Sequence, residues 1–269
     1  MIQGPPIPDV FDELVRRRRE GSPCVLATVV RTSGSTPRKA TARMIVLGDG
    51  RIIGTIGGGR VEKEVVDAAR ALLAQGDAAR AQLLRYHLTH ELAMCCGGEM
   101  EVFVEPLIPA SPLIVCGGGH VAQALVPLAK KVGFAPIVVE EAEEMATPER
   151  FPDAARIVDS FDPRDWKELR LDGGSYVVIV TRDHAQDQAL LEHFTSAGAP
   201  ELAYLGLIGS RRKIEMFKQR LAARGIDPGR FEKLHAPIGL DIGAETPEEI
   251  AVAIVAELIQ ARAARRPRK

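Results

Sequence analysis

The hydrophobic positions of the chain follow different patterns before and after residue 109. In the first part, short apolar runs alternate with turns, which is typical of β-strands. The runs cover 24–30, 42–47, 51–56, 82–88 and 101–105. Two further segments, 9–20 and 61–72, carry apolar residues at helical spacing. We therefore expect residues 1–108 to form a mixed α/β domain.

After the proline-rich segment 106–112, predicted strands and helices alternate regularly. The strands are 113–115, 136–139, 155–158, 176–180 and 203–208, and the helices lie near 121–132, 164–170, 186–197, 211–224 and 247–264. Such alternation is typical of a doubly wound parallel sheet with helices on both faces. The sequence thus predicts an α/β protein whose second domain covers residues 109–269.

A glycine-rich turn follows the first strand of this second domain. Residues 113–122 read L-I-V-C-G-G-G-H-V-A and fit the pattern G-x-G-x-x-A, with Gly117, Gly119 and Ala122 at the defining positions. Glycine allows a tight turn and a close approach of phosphate, and the next helix offers free N–H groups to an anion. Glu140 lies 21 positions beyond Gly119, where a ribose-binding carboxylate is expected, although a solvated loop charge is the alternative. The pattern favours a nucleotide-type binding fold.

Other candidate binding residues follow the later strands. In an open parallel sheet, ligands bind beyond the carboxyl ends of the strands. His120, His184, Ser210 and Arg211 are all expected at this edge. Ser210 and Arg211 either bind a phosphate or simply cap and flank a helix, and the sequence leaves both interpretations open.

The first domain has its own candidates. Gly57, Gly58, Gly59 and Arg60 join a strand to a helix, so their amides and guanidinium are suited to a polyanionic ligand. The pair Cys95-Cys96 would be reactive if basic neighbours lowered the thiol pKa, whereas free cysteines are commonly inert core residues.

Composition narrows the range of functions. The 269 residues include 35 Lys and Arg against 36 Asp and Glu, so the net charge of −1 gives no general reason to bind nucleic acid. The apolar runs are far shorter than a membrane span, and the first residues do not resemble a secretion signal. We therefore expect a cytoplasmic protein that binds neither membranes nor nucleic acid.

Several ordered strings resemble the XdhC/CoxI family of xanthine dehydrogenase accessory proteins. The first domain is similar in T-S-G-S-T-P-R-K-A, G-T-I-G-G-G-R-V-E and C-C-G-G-E-M-E-V-F-V-E-P-L. The second is similar to the family's Rossmann-like domain in L-I-V-C-G-G-G-H-V-A-Q-A-L, T-R-D-H-A-Q-D, Y-L-G-L-I-G-S-R-R-K and H-A-P-I-G-L-D-I-G-A-E-T-P-E-E-I-A. The resemblance covers nearly the whole chain.

This resemblance implies a maturation factor rather than a catalyst. Such proteins bind molybdenum cofactor, as molybdopterin or its dinucleotide, while a cysteine desulfurase partner supplies a sulfido ligand, and deliver it to a molybdenum hydroxylase apo-enzyme. By analogy, Cys95 or Cys96 would relay sulfur or ligate molybdenum, and the two glycine turns would bind phosphate. A homodimer is a further expectation, because the cofactor must be shielded.

The main alternative is an NAD(P)-dependent oxidoreductase, based on Gly117, Gly119 and Glu140 with His184 as a proton donor. A nucleotide-sensing regulator without turnover is a third hypothesis. The sequence shows no iron–sulfur cysteine set, so we do not expect it to be a xanthine dehydrogenase itself.

Overall fold

The computed structural model describes residues 9–34, 40–76, 79–87, 98–166, 169 and 171–265. By its contacts the chain divides into two compact units, Met1–Pro109 and Ala110–Lys269. Each unit contains its own sheet and its own hydrophobic clusters. Within the described ranges, none of the helices combines the length and hydrophobicity that a transmembrane span requires.

The N-terminal unit is built on a five-stranded antiparallel sheet in the order β3-β2-β1-β5-β4. Its strands are β1 (Cys24–Ser33), β2 (Arg43–Leu47), β3 (Ile52–Gly54), β4 (Gln82–His87) and β5 (Glu99–Leu107), and its helices are α1 (Val10–Arg19) and α2 (Gly59–Ala74). The apolar stripe of α2 packs on one face of the sheet and α1 packs on the other. Successive side chains of β1 point to opposite faces of the sheet and therefore pack into two separate cores.

The C-terminal unit contains a six-stranded parallel sheet in the order β11-β10-β9-β6-β7-β8. The strands are β6 (Ser111–Cys116), β7 (Phe134–Val139), β8 (Arg156–Val158), β9 (Tyr176–Ile179), β10 (Tyr204–Leu207) and β11 (Leu234–His235). The helices are α3 (His120–Lys131), α4 (His184–Thr195), α5 (Arg211–Ala223) and α6 (Pro247–Ala264). Helices α3 and α6 pack on one face, and α4 and α5 pack on the other. The predicted doubly wound, Rossmann-like architecture is confirmed.

Two elements of this unit differ from the sequence-based expectation. The helix predicted near 164–170 is, among its described residues, only a 3-10 turn, Pro163–Asp165. Asp162 caps this turn, and the indole of Trp166 lies in the core, which fixes the segment without a longer helix. Strand β11 was not predicted, because two residues are too few to show an alternating pattern.

The strand order locates the natural binding edge. The chain runs from β6 outward to β7 and β8, and then returns to β9 on the opposite side of β6. The carboxyl ends of β6 and β9 therefore form the topological switch point, where open α/β sheets bind ligands.

Candidate functional site

The glycine turn after β6 lies directly at the switch point. Gly117 has φ +121°, and a Cβ atom there would lie 2.6 Å from the carbonyl oxygen of Val180. Only glycine fits this position, because both the backbone conformation and the neighbouring turn exclude a side chain. The predicted tight turn at Gly117 is thus explained by contact with the chain that follows β9.

Gly119 has a different environment. It precedes α3 with φ −73° and ψ −175°, and no side chain caps the helix. A Cβ atom at Gly119 would meet a single heavy atom within 4 Å, the Cγ of Arg182 at 3.9 Å. The first amides of α3 therefore lie beside an open space bordered by an arginine, an arrangement suited to a phosphate. His120, the first residue of α3, is exposed at the same place.

Glu140 follows β7 and closes the other side of the glycine turn. Its side chain is buried at 5% exposure, with Oε2 accepting the Gly118 N–H at 2.7 Å and Oε1 accepting the Ala142 N–H at 3.1 Å. Oε2 therefore stabilises the glycine turn, and Oε1 stabilises the loop that follows β7. A ribose bound at this position would have to hydrogen-bond to carboxylate oxygens of Glu140 that already accept backbone N–H groups.

Arg150 is a further residue of this turn that the sequence analysis did not single out. Its Nη2 donates to the carbonyl oxygen of Gly118 at 3.2 Å. The contact joins residues 32 positions apart, and the segment around Arg150 has no periodic pattern that would indicate it. Arg150 and Glu140 together fix both polar groups of the Gly118 backbone.

The turn after β9 carries His184. Asp183 caps α4 by accepting the Ala185 N–H at 2.7 Å, and His184 begins the helix with an exposed side chain. The hydroxyl of Thr181 donates to Asp187 Oδ1 at 2.6 Å. This turn and the glycine turn flank the switch point, so the structure places His120 and His184 on adjacent turns of the same edge.

Ser210 and Arg211 follow β10, one strand further from the switch point. Ser210 caps α5, its Oγ accepting the Lys213 N–H at 3.3 Å, and Arg211 is exposed. The capping interpretation of Ser210 is thus confirmed, and its side chain has a structural partner. A phosphate-binding role for the pair stays a prediction.

A buried ion pair links these last two turns. Lys213 Nζ donates to Asp187 Oδ2 at 2.5 Å and to the Ile208 carbonyl at 3.3 Å. Asp187 is only 1% exposed, so its charge depends on Lys213 and Thr181 for compensation. Neither residue has a sequence signal that would pair it with the other, because they lie on different helices.

In the N-terminal unit, the glycine loop binds a carboxylate of the protein itself. Gly57, Gly58 and Gly59 all have positive φ, at +130°, +76° and +71°. The Oε2 atom of Glu62 accepts the hydroxyl of Thr55 at 2.6 Å and the N–H groups of Ile56 and Gly58 at 3.2 and 3.1 Å. The predicted phosphate site therefore already holds a carboxylate from the chain.

The donors left at this loop are few. Helix α2 has no side-chain cap, so the amides at its first turn are available, whereas the guanidinium of Arg60 pairs with Glu64 at 3.2 Å on the surface. An anion-binding role for Gly57, Gly58, Gly59 and Arg60 stays a prediction and depends on those first-turn amides.

The cysteines divide into two classes. Cys95 and Cys96 lie outside the described residues. Cys24 and Cys116 are buried free thiols, and burial raises the pKa of both. Both lie in apolar strands, where cysteine packs as a small hydrophobic residue. In the part of the chain that the structure describes, no group of three or more His, Cys, Asp or Glu side chains is arranged to hold a metal ion.

These features define a two-domain protein whose second domain is Rossmann-like, with open space beside Gly119 at the start of the helix that follows its glycine turn. Sequence profiles identify the class more closely: that of the XdhC Rossmann domain matches residues 113–258, and that of the XdhC and CoxI family matches residues 17–87. The chain belongs to the XdhC and CoxI family.

Individual relatives extend over most of the chain. It is 33% identical to "Uncharacterized protein YqeB" of Escherichia coli over 94% of its length, although it spans only 46% of that relative. It is 26% identical to a probable xanthine dehydrogenase component of Bacillus subtilis, covering 94% of this chain and 96% of that one. "Molybdenum cofactor insertion chaperone PaoD" of E. coli is 25% identical, covering 90% and 84%.

A solved structure shares the fold. The crystal structure described as a xanthine dehydrogenase from Bacillus halodurans aligns with 96% of this chain and 97% of its own, with a TM-score of 0.50 and 24% identity.

Proposed function

We propose that this protein is a maturation factor that binds molybdenum cofactor and assists its insertion into a xanthine dehydrogenase-type molybdenum hydroxylase. The observation that carries the proposal is the family match in both units. It is supported by the relative named as a molybdenum cofactor insertion chaperone, which aligns with 90% of the chain. The protein thus handles the cofactor as cargo.

The switch point supplies the proposed phosphate contact. The uncapped amides at the start of α3 lie beside an open space bordered by Arg182. We assign the phosphate of molybdopterin, or of its dinucleotide, to these amides, with His120 and His184 at the rim. Ser210 and Arg211 are proposed as outer contacts on the neighbouring strand.

The sulfur chemistry is proposed for Cys95 and Cys96. Of the four cysteines, Cys24 and Cys116 are buried, so the adjacent pair supplies the candidate thiols. We propose that one of them ligates molybdenum or accepts sulfur from a cysteine desulfurase partner. Replacement of both by serine is expected to reduce the sulfido content of the delivered cofactor while phosphate binding is retained.

The NAD(P)-dependent oxidoreductase is the weaker candidate. Its ribose contact would depend on Glu140, whose two oxygens already accept the Gly118 and Ala142 amides. Calorimetric titration with NAD(H) and NADP(H) is expected to show no binding. Binding of either dinucleotide with cofactor-dependent turnover would favour this alternative instead.

The decisive experiment is co-purification with the cofactor. The protein would be expressed in a host that synthesises molybdenum cofactor and, as a control, in one that cannot. Molybdenum is then measured by mass spectrometry, and the released pterin is measured by its fluorescence after oxidation. We expect near-stoichiometric cofactor only from the first host, and protein free of both molybdenum and pterin would refute the proposal.

A matched pair of variants at Gly119 tests the phosphate contact. Gly119 has ordinary dihedral angles and free space, so both Gly119→Asp and Gly119→Asn fit and cap α3. Only Asp adds a negative charge where the phosphate is proposed to bind. Either side chain can also occupy the α3 amides by capping, so the two variants are compared with each other: we expect the cofactor occupancy of the Asp variant to be roughly tenfold or more below that of the Asn variant. Equal cofactor occupancy in both variants would exclude a phosphate contact at Gly119.

A further inference from the structure

The turns that follow β9 and β10 carry three exposed arginines, which we call the arginine cluster. Arg182 lies after β9, and Arg211 and Arg212 begin α5 after β10. Among the described residues, none of the three has a hydrogen-bond or ion-pair partner for its guanidinium group. Three positive charges therefore lie on neighbouring turns, at the edge where an open α/β sheet binds its ligands.

The arginine cluster differs from most other arginines of the C-terminal unit. Those donate to carboxylates, to an amide oxygen or to backbone carbonyls of their own chain, as do Arg150, Arg164, Arg220, Arg224, Arg262 and Arg265. Arg230 is exposed like the cluster, but it precedes β11 and so lies toward the amino ends of the strands. The guanidinium groups at the carboxyl edge are therefore available for an anion that the chain itself does not supply.

The carboxylates of the same two turns do not neutralise the cluster. Asp183 accepts the Ala185 N–H at 2.7 Å, and the buried Asp187 is bound by Lys213 and by the hydroxyl of Thr181. The cluster therefore keeps its positive charge, and the pairing of Asp187 with Lys213 holds together the two turns that carry it.

The arginine cluster is continuous with the open space beside Gly119. The Cγ atom of Arg182 lies 3.9 Å from the position that a Cβ atom of Gly119 would occupy. Strand β9, which leads to Arg182, lies between β6, which leads to Gly119, and β10, which leads to Arg211. Because neighbouring strands are about 4.8 Å apart, long side chains from these turns can contact adjacent phosphate groups of one ligand.

We propose that the arginine cluster binds the second phosphate of a diphosphate ester whose first phosphate lies beside Gly119. Guanidinium groups bind phosphate oxygens through paired N–H donors, and three of them match the additional charge of a diphosphate. This inference rests on the proposed function and specifies its cargo as molybdenum cofactor in the dinucleotide form, in which a diphosphate joins the pterin to a nucleotide. NAD(P) also contains a diphosphate, so the two sources need separate tests.

Titration calorimetry of the full chain with inorganic phosphate and with pyrophosphate, at constant ionic strength, tests the diphosphate site. We expect the unaltered protein to bind pyrophosphate at least about tenfold more tightly than phosphate, and Arg211→Gln/Arg212→Gln to lose most of this preference. The matched control Arg230→Gln/Lys233→Gln removes two exposed charges outside the cluster and should retain it. Absent or equal binding of the two probes by the unaltered protein, or the same preference in both double variants, would overturn the proposal.

Analysis of the bound cofactor identifies the source of the diphosphate. The unaltered protein is purified from a host that makes both forms of molybdenum cofactor, and the released small molecules are identified by mass spectrometry. We expect pterin and nucleotide in equal amounts and no nicotinamide. Pterin without a nucleotide, or a nucleotide with nicotinamide, would overturn the assignment to the dinucleotide form. Protein without pterin would refute the proposed function, whereas the diphosphate site is decided by the titration alone.

Discussion

Gly117 and Gly119 lie two residues apart and differ sharply in the side chains that they tolerate. At Gly117, a Cβ atom would meet the Val180 carbonyl in a backbone region that favours glycine. At Gly119, the backbone is extended and the nearest atom is 3.9 Å away. The same residue type therefore serves packing at one position and leaves open space at the other.

We expect Gly117→Ala to lower the free energy of unfolding by about 2–3 kcal/mol, through backbone strain and the contact with Val180. Gly119→Ala is the matched control and should lower it by about 1 kcal/mol or less, because the N-cap preference for glycine over alanine is partly offset by the smaller entropy of the unfolded chain. Urea denaturation followed by circular dichroism measures both values. Similar losses at the two positions would show that the turn is not packed in this way.

At the residue scale, the sequence predicted local turns but not the contacts between separate segments. The glycine turns were predicted from local patterns. The partners Glu62, Arg150 and Asp187 were not, because each contact depends on how separate segments of the chain come together. Glu62 is only four residues from Gly58, yet its role follows from the backbone conformation of the three glycines.

At the scale of elements, β11 and α6 are joined by one carboxylate. Glu257 accepts hydrogen bonds from Tyr204 at 2.5 Å and from the Gly239 N–H at 2.7 Å, and its other oxygen lies 2.9 Å from His235 Nδ1. The rings of Tyr204 and His235 stack at 4.3 Å between centroids. A strand of two residues is too short to read from the sequence, and this network explains how it is nevertheless held.

This network predicts a pH dependence. Burial alone would raise the pKa of Glu257, but hydrogen bonds from His235, Tyr204 and Gly239 outweigh it and lower the pKa below its ordinary value of 4.5. A lowered pKa in the folded state means that the ionised carboxylate stabilises the fold above the unfolded-state pKa, and that this contribution is lost as the pH falls through the folded-state pKa.

The corresponding variant is Glu257→Gln. We expect it to be less stable at neutral pH by about 1–3 kcal/mol and to lose less stability upon acidification than the unaltered protein. Thermal unfolding at a series of pH values gives both quantities. An unchanged acid dependence would show that Glu257 does not contribute to it.

At the scale of the whole molecule, each unit contains its own cores. Two clusters lie within Met1–Pro109, and the two that cover the faces of the parallel sheet lie within Ala110–Lys269. The doubly wound parallel architecture of the second unit was predicted from the regular alternation of strands and helices. The strand order of the first sheet was not, because antiparallel pairing leaves no comparable signal.

We expect residues 110–269, expressed alone, to fold, because both helical layers and the sheet between them are retained. A cooperative thermal transition and dispersed amide resonances would verify this. A fragment that lacks a cooperative transition would show that the C-terminal core needs the remaining residues.

The buried pair of Asp187 and Lys213 has a consequence for ligand selection. The pair joins the turn after β9 to the turn after β10. If either turn moved alone, the buried Asp187 carboxylate would lose its cationic partner, which is energetically costly. We therefore expect the edge that carries His184 and Ser210 to change little in shape when a ligand binds. A ligand that binds at this edge is then selected by how well its shape and charge match the existing surface, because rearranging the two turns would cost free energy.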